Sequence, residues 1–273
     1  MIKRFLKAIG TLGVYGLALS LIYLTNLFLM RPASIDHYLA KELILELTGS
    51  PEYMTYMGIF DQYNWLTKHN AKLSIPSSED LEKDISNAKK TLNILEKYNN
   101  KKLTDNQKIT KKIAIFDTEN NLKELEEFPY HSFPLNQVQG EHHSIISFMN
   151  DMHPVRNYSE ALDFVKRTDL VIDVFSGLND WLIKQSEEGI YAPKFVYAHM
   201  ISQLNELINY SPEEHPLYVQ FTKKISELNL SNEEINLLTN SLKDSINNSV
   251  TPGFELLRDY MLSTEKNANP HHG

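Results

Sequence analysis

Glu141, His142 and His143 stand side by side in the polar run FPLNQVQGEHHS, residues 133–144, which makes this run the first place to look for chemistry. A carboxylate beside two imidazoles offers a base and two metal donors. A zinc site on a helix, however, needs its imidazoles four residues apart so that both leave one face, with a neighbouring glutamate as base, in the pattern H-E-x-x-H. None of the ten histidines meets that spacing: His37, His69, His131, His142, His143, His153, His199, His215, His271 and His272 are isolated or adjacent. Adjacent side chains on a helix diverge by about 100°, a poor arrangement for one ion. The run reads first as a polar helix start, and an ion held by Glu141, His142, His143 and a distant histidine is the sharper alternative. His271 and His272 at the chain end would take nickel or copper adventitiously.

Other reaction classes find little support. The chain has no cysteine, which removes disulfides, thiolate nucleophiles and cysteine-bound zinc. There is no G-x-S-x-G elbow, and Ser144 beside His143 does not make a triad. No glycine-rich loop leads into a helix as a phosphate cradle would require. The pairs Glu126-Glu127, Glu187-Glu188, Glu213-Glu214 and Glu233-Glu234 read as solvated helix ends. With a formal charge of -8 and Lys and Arg scattered along 273 residues, nucleic acid is not an expected partner. No catalytic, cofactor-binding or metal-ligating residue is therefore assigned. What remains is recognition. Asn136, Gln137 and Gln139 offer amide donors and acceptors, and Gly140 permits close backbone approach or a positive φ. These residues either line a recognition loop or cleft, or satisfy buried backbone groups where the chain crosses between helices.

The elements that must position this loop read as helices. Ser34 can cap a first one carrying Ile35, Leu39, Leu43 and Leu47, closed by Gly49 and Pro51. Residues 54–74 are aromatic-rich without a clean period and read as helix plus loop. Leu81, Ile85, Ala88, Leu92 and Leu95 then recur at spacings of four and three behind Ser78, Glu79 and Asp80. Thr104 and Gln107 form a capping box ahead of Ile109, Ile113 and Phe116, whose face runs on towards Leu122 and Leu125. These two patterns predict an antiparallel hairpin. Beyond the loop, Ser159 caps a long pattern through Leu162, Val165, Leu170, Val174, Leu178, Trp181 and Ile183, stopped by Gly189. Pro193 opens a helix with Val196, Met200, Leu204 and Leu207 on one face. Ser231 with Glu234 is a second capping box ahead of Ile235, Leu238, Leu242 and Ile246. Pro252 and Gly253 should kink or restart that helix before Phe254, Leu257 and Met261. No alternating strand pattern appears, so the expected fold is all-α.

An apolar run without charge, AIGTLGVYGLALSLIYLTNLFLM, spans residues 8–30 from Ala8 to Met30 and follows Lys3, Arg4 and Lys7. At about 1.5 Å per residue such a helix is about 35 Å long, enough for a hydrocarbon core of about 30 Å. It predicts an uncleaved transmembrane signal anchor in the inner, cytoplasmic membrane, crossing once. The basic end would be cytoplasmic and the bulk exported to the periplasm or cell exterior. The expected organisation is residues 1–33 as basic end and anchor, 34–263 as a domain of antiparallel helices, and 264–273 as a flexible tail.

Several of these pieces occur together in an order that resembles the N-terminal half of the bacterial family called domain of unknown function 885. They are Phe133-Pro134-Leu135-Asn136-Gln137 with Gly140, His153-Pro154, Gly189-Ile190 with Pro193, and Gln203-Leu204. Upstream, Pro51-Glu52-Tyr53-Met54-Thr55 through Gly58 and Asp61 looks like that family's early segment. The likeness covers about residues 36–266. It implies a helical protein, often exported or lipid-anchored, similar to zinc metallopeptidases whose H-E-x-x-H helix lies in a C-terminal half. On that reading the chain stops about where family members pass into that half. Zinc is then implied for the missing half alone, and Asn136, Gln137 and Gly140 line a substrate cleft. The expectation is a membrane-anchored, non-catalytic portion of such a protein, paired with a separate C-terminal catalytic polypeptide or left as a gene fragment. The alternative is a membrane-tethered helical module that binds a peptide or envelope partner.

Overall fold

A computed structural model describes residues 14–26, 31–77 and 79–268. Its helices are α1 (Ile35–Gly49), α2 (Pro51–Met57), α3 (Asp80–Glu96), α4 (Asp105–Glu127), α5 (Glu141–Ser147) and α6 (Tyr158–Asp169). They continue as α7 (Val171–Glu187), α8 (Lys194–Asn209), α9 (Pro216–Ser226), α10 (Asn232–Ser245) and α11 (Thr251–Thr264). Among the described residues there is no strand, as the all-α expectation requires.

The expected transmembrane helix is a correction. Among the described residues no helix is long and apolar enough to cross a membrane. The described part of the apolar run, residues 14–26, is helical and by itself falls below the roughly 20 apolar residues that a span takes. Positions 8–13 and 27–30 of that expected span lie outside the described residues, as do Ser78, His271 and His272.

The chain divides into two compact units, Met1–Gly49 with Glu82–Glu127, and Ser50–Leu81 with Phe128–Gly273. In the first, α3 and α4 run antiparallel, tied by Lys89 to Glu126 at 2.6 Å and by Lys111 Nζ to the Tyr98 carbonyl at 2.7 Å. The Thr104–Gln107 capping box closes as the sequence predicts. The core is small: Ile35, Tyr38, Leu95 and Tyr98, flanked by Leu39, Ile94, Leu103, Ala114 and Ile115. Ile109, Ile113 and Phe116, which share the predicted face of α4, are exposed, and Lys111, Ala114 and Ile115 turn inward instead.

The second unit holds the large core. Helix α11 packs against α7 and α8, and α10 against α6. The predicted stripe of α8 is buried, and so is Phe254, Leu257, Met261 of α11. The long pattern after the loop is two helices, α6 and α7, parted at Leu170. Asn157, not Ser159, caps α6 by accepting from the Glu160 amide. The buried stripe of α7 is Val171, Phe175, Leu178 and Leu182: Leu178 faces inward as expected, while Val171, Phe175 and Leu182 replace Leu170, Val174 and Trp181 one position on. The break at Leu170 leaves backbone groups to satisfy, and Ser249 does so. Its hydroxyl accepts from Ile172 N and donates to the carbonyls of Thr168 and Asp169. Ser249 lies in a single π turn, Ile246–Val250, through which α10 passes into α11. Pro252, lacking an N–H, sits in the first turn of α11, so the expected restart takes the form of a widened turn. Gly189, at φ 74°, ends α7 as predicted.

Candidate functional site

The loop before α5 is built from its own amides. Asn136 Oδ1 accepts from Val138 N at 3.0 Å and Gln139 N at 2.8 Å, and Asn136 Nδ2 donates to Phe133 O at 3.1 Å. Leu135 anchors the loop in the core. Gly140 is extended rather than left-handed, at φ -68°. Its glycine character comes from close approach: a Cβ there would lie 2.5 Å from Asn136 O and 2.6 Å from the His142 ring. Gln203 on α8 fixes the loop from the side, with Oε1 3.1 Å from His142 Nε2 and Nε2 donating to Gln137 O at 3.3 Å. Gln185 on α7 holds the approach to the loop by donating to the carbonyls of Tyr130 and Ser132. Asn136 is thus a fold-building amide, whereas Val138 and the side chain of Gln139 are displayed to solvent.

Of the two neighbouring imidazoles, His143 is half-buried and His142 is withdrawn from solvent. His142 is fully buried, and burial, then the charge of His143, pulls its pKa down to about 4. The two rings lie 4.1 Å apart between centroids, but His142 Nε2 is engaged by Gln203 and its Nδ1 is buried without a partner. Among the described residues no three His, Cys, Asp or Glu side chains are placed to hold a metal ion. Zinc, which the family resemblance implies for the C-terminal half alone, has no such donor set among the described residues.

A second polar centre surrounds Arg167 of α6, which is fully buried. Its Nε donates to Lys72 O at 2.8 Å, and its Nη2 to Thr55 Oγ1 at 2.9 Å and His69 O at 2.5 Å. Its Nη1 donates to His153 Nδ1 at 2.9 Å. A guanidinium only donates, so His153 must be neutral with its proton on Nε2, which donates to Glu160 O at 3.1 Å. Burial and the Arg167 charge lower the His153 pKa to about 3. Burial likewise lowers Arg167 to about 10, opposed by Glu52 and Asp163. At the rim, His69 Nε2 lies 3.6 Å from Asp61 Oδ1 and its Nδ1 2.7 Å from the Thr67 hydroxyl. The order hydroxyl, imidazole, carboxylate is that of a hydrolytic triad. Here the imidazole is buried and the Thr67 hydroxyl is also shared with Tyr63 O, while Asp61 Oδ2 is paired with Arg156 at 2.7 Å. The centre stitches residues 55–72 to α6. Sequence reasoning passed over Arg167. The signal was its place between Phe164 and Val171, three and four residues away on an apolar face.

Residues 51–273 match the family described as bacterial protein of unknown function (DUF885). No curated protein matches the chain. Among solved structures it is similar to one of a putative lipoprotein from Colwellia psychrerythraea, with a TM-score of 0.70 and 16% sequence identity. The likeness covers 82% of this chain and 41% of that one, so the chain spans about two fifths of the structure it matches. At that identity the likeness speaks for the fold.

Proposed function

The chain belongs to the DUF885 family, and from that premise we propose that it is the non-catalytic, substrate-framing portion of a zinc-metallopeptidase-like protein of the cell envelope. The observation that carries this reading is the division of labour around the loop. Gly140, Gln203 and the Asn136 amide fix its backbone, and the tip displays Val138 and an unpaired Gln139 amide. The His142 ring beside it is buried and engaged by Gln203, and His143 is half-buried. Such a surface can hold an extended peptide by side-chain amide and apolar contact. Envelope association is supported by the description of the structural relative as a lipoprotein and by large apolar side chains exposed along residues 14–24.

The test is peptide binding and hydrolysis by the full chain with added zinc, followed by mass spectrometry of a mixed peptide library. The expected result is retention of peptides without cleavage, weakened by Gln139→Ala. Zinc-dependent turnover that scales with protein concentration would overturn the reading. A second reading, a binding module that never meets a catalytic partner, is favoured by the continuous core that the second unit builds from its own helices. A polypeptide carrying H-E-x-x-H that restores hydrolysis when mixed with this chain decides for the first reading.

A further inference from the structure

A cleft of about 450 Å³ opens at the start of α1, within the first unit, and three of its lining residues are cations: Arg31, Lys97 and Lys102. Elsewhere in that unit Lys41, Lys89, Lys108 and Lys123 each pair with a carboxylate, Glu42, Glu126, Asp105 and Glu127, whereas Lys83, Lys90, Lys101 and Lys112 make no ion pair among the described residues and line no shared cleft with the three. The three cleft cations have no such partner among the described residues. In a chain of formal charge -8, acids are plentiful, and three unpaired cations around one concavity form a local field opposite to that of the whole.

Arg31 is held in place. Its Nη1 donates to the Lys97 carbonyl at 2.7 Å, and its guanidinium lies 5.2 Å from the centroid of the Tyr98 ring. That ring is fixed in turn by its hydroxyl, which donates to Pro32 O at 2.7 Å. The remaining guanidinium donors are therefore pre-positioned, and Lys97 and Lys102 add mobile point charges. A planar fork with two ammonium groups is the combination that suits a phosphate group. Asp36, the carboxylate at this end of α1, is turned to Gln107 Nε2 at 2.7 Å and does not line the cleft.

We propose that this cleft binds a phosphate group, presented either as the phosphodiester of a lipid headgroup or as a free phosphate anion. Residues 14–26 precede it with an exposed apolar helix that includes Leu17, Leu21 and Ile22, which makes the headgroup the source to test first.

The experiment uses the full chain and two probes. Vesicles of phosphatidylcholine with and without phosphatidylglycerol report the headgroup, by co-sedimentation. Inorganic pyrophosphate reports the free anion, by calorimetry. The comparison is between the native chain, the double variant Lys97→Gln/Lys102→Gln, and a control that removes the same charge elsewhere in the unit, Lys83→Gln/Lys90→Gln. None of these four lysines makes a side-chain hydrogen bond that folding would miss. Saturable, salt-sensitive binding of one probe that falls about tenfold in the cleft variant and not in the control supports the site, and the probe that binds names the source. No saturable binding of either probe, or an equal loss in the control, would overturn it.

Discussion

Both units carry helices with apolar side chains at helical spacing, yet only in the second are those side chains mostly covered. In α8, Val196, Met200, Leu204 and Leu207 are all buried. In α4, Ile109, Ile113 and Phe116 are at least half exposed, at 58%, 56% and 63%. The polar residues reverse the same way. The second unit takes a guanidinium, four imidazoles and three threonines into its interior, while the first buries one lysine, Lys111, whose amine donates to the Tyr98 carbonyl. Helical period therefore reports that a face exists, and the number of neighbouring helices decides whether it is covered. With α1, α3, α4 and the helical residues 14–26, the first unit has fewer described helices to cover a face of α4 than a unit in which α6 to α11 surround one another.

The largest effect should come from the centre of that contrast. Arg167→Met would leave the Thr55 hydroxyl, the His153 ring and the carbonyls of His69 and Lys72 without their donor, costing about 3–5 kcal/mol in urea unfolding of the second unit. Lys111→Met in the first unit should cost less, about 1–2 kcal/mol, because it leaves two acceptors, Tyr98 O and Asn100 Oδ1, without their donor rather than four. Equal losses would break the comparison.

Acid should separate the units next. His142 and His215 are held neutral by burial, with pKa values of about 4, and His153 at about 3. In an unfolded chain a histidine titrates near about 6.5. Between these values the unfolded chain binds protons that the folded chain refuses, so stability is full above about pH 6.5 and is lost as pH falls towards about 4. The slope is about 1.4 kcal/mol per pH unit for each histidine. The first unit's His37 is exposed, so hydrogen exchange across this window should accelerate in the second unit and much less in the first. Gly140→Ala should cost about 1–3 kcal/mol by forcing a Cβ against Asn136 O and the His142 ring. Its companion Gln139→Ala should leave stability within about 0.5 kcal/mol while weakening peptide retention. Smallest of all, Ile113→Lys on the uncovered face of α4 should be neutral within about 0.5 kcal/mol. A loss of 2 kcal/mol or more would mean that this face is covered in solution.

The capping boxes at Thr104 and Ser231, the break at Gly189 and the stripes of α8 and α11 were legible because each depends on side chains within one turn of each other. The parting of α6 from α7 was not, since the hydroxyl that satisfies it, Ser249, is 77 residues from Ile172. Of the loop, the amides and the close-packed glycine could be read, but not the distribution of roles: Asn136 builds the turn, Gln137 lends its carbonyl, and Gln139 alone is displayed. That sorting is set by Gln203, which reaches the loop from α8. The expected membrane span is not met among the described residues, where no helix is long and apolar enough to cross a membrane.

The π turn between α10 and α11 bears on how this chain tolerates changes in length. One turn of five residues takes up a residue more than an α turn would, and the α-helix resumes beyond it with Phe254, Leu257 and Met261 still facing inward. Losing one residue within α10 or α11 would swing everything downstream by about 100°, carrying those three side chains out of the core. Losing one from 246–250 would instead restore an ordinary α ladder and leave them where they are. At that position alone in the paired helices, residue number and helix orientation are uncoupled, so relatives that differ by a single residue here can keep the same interior.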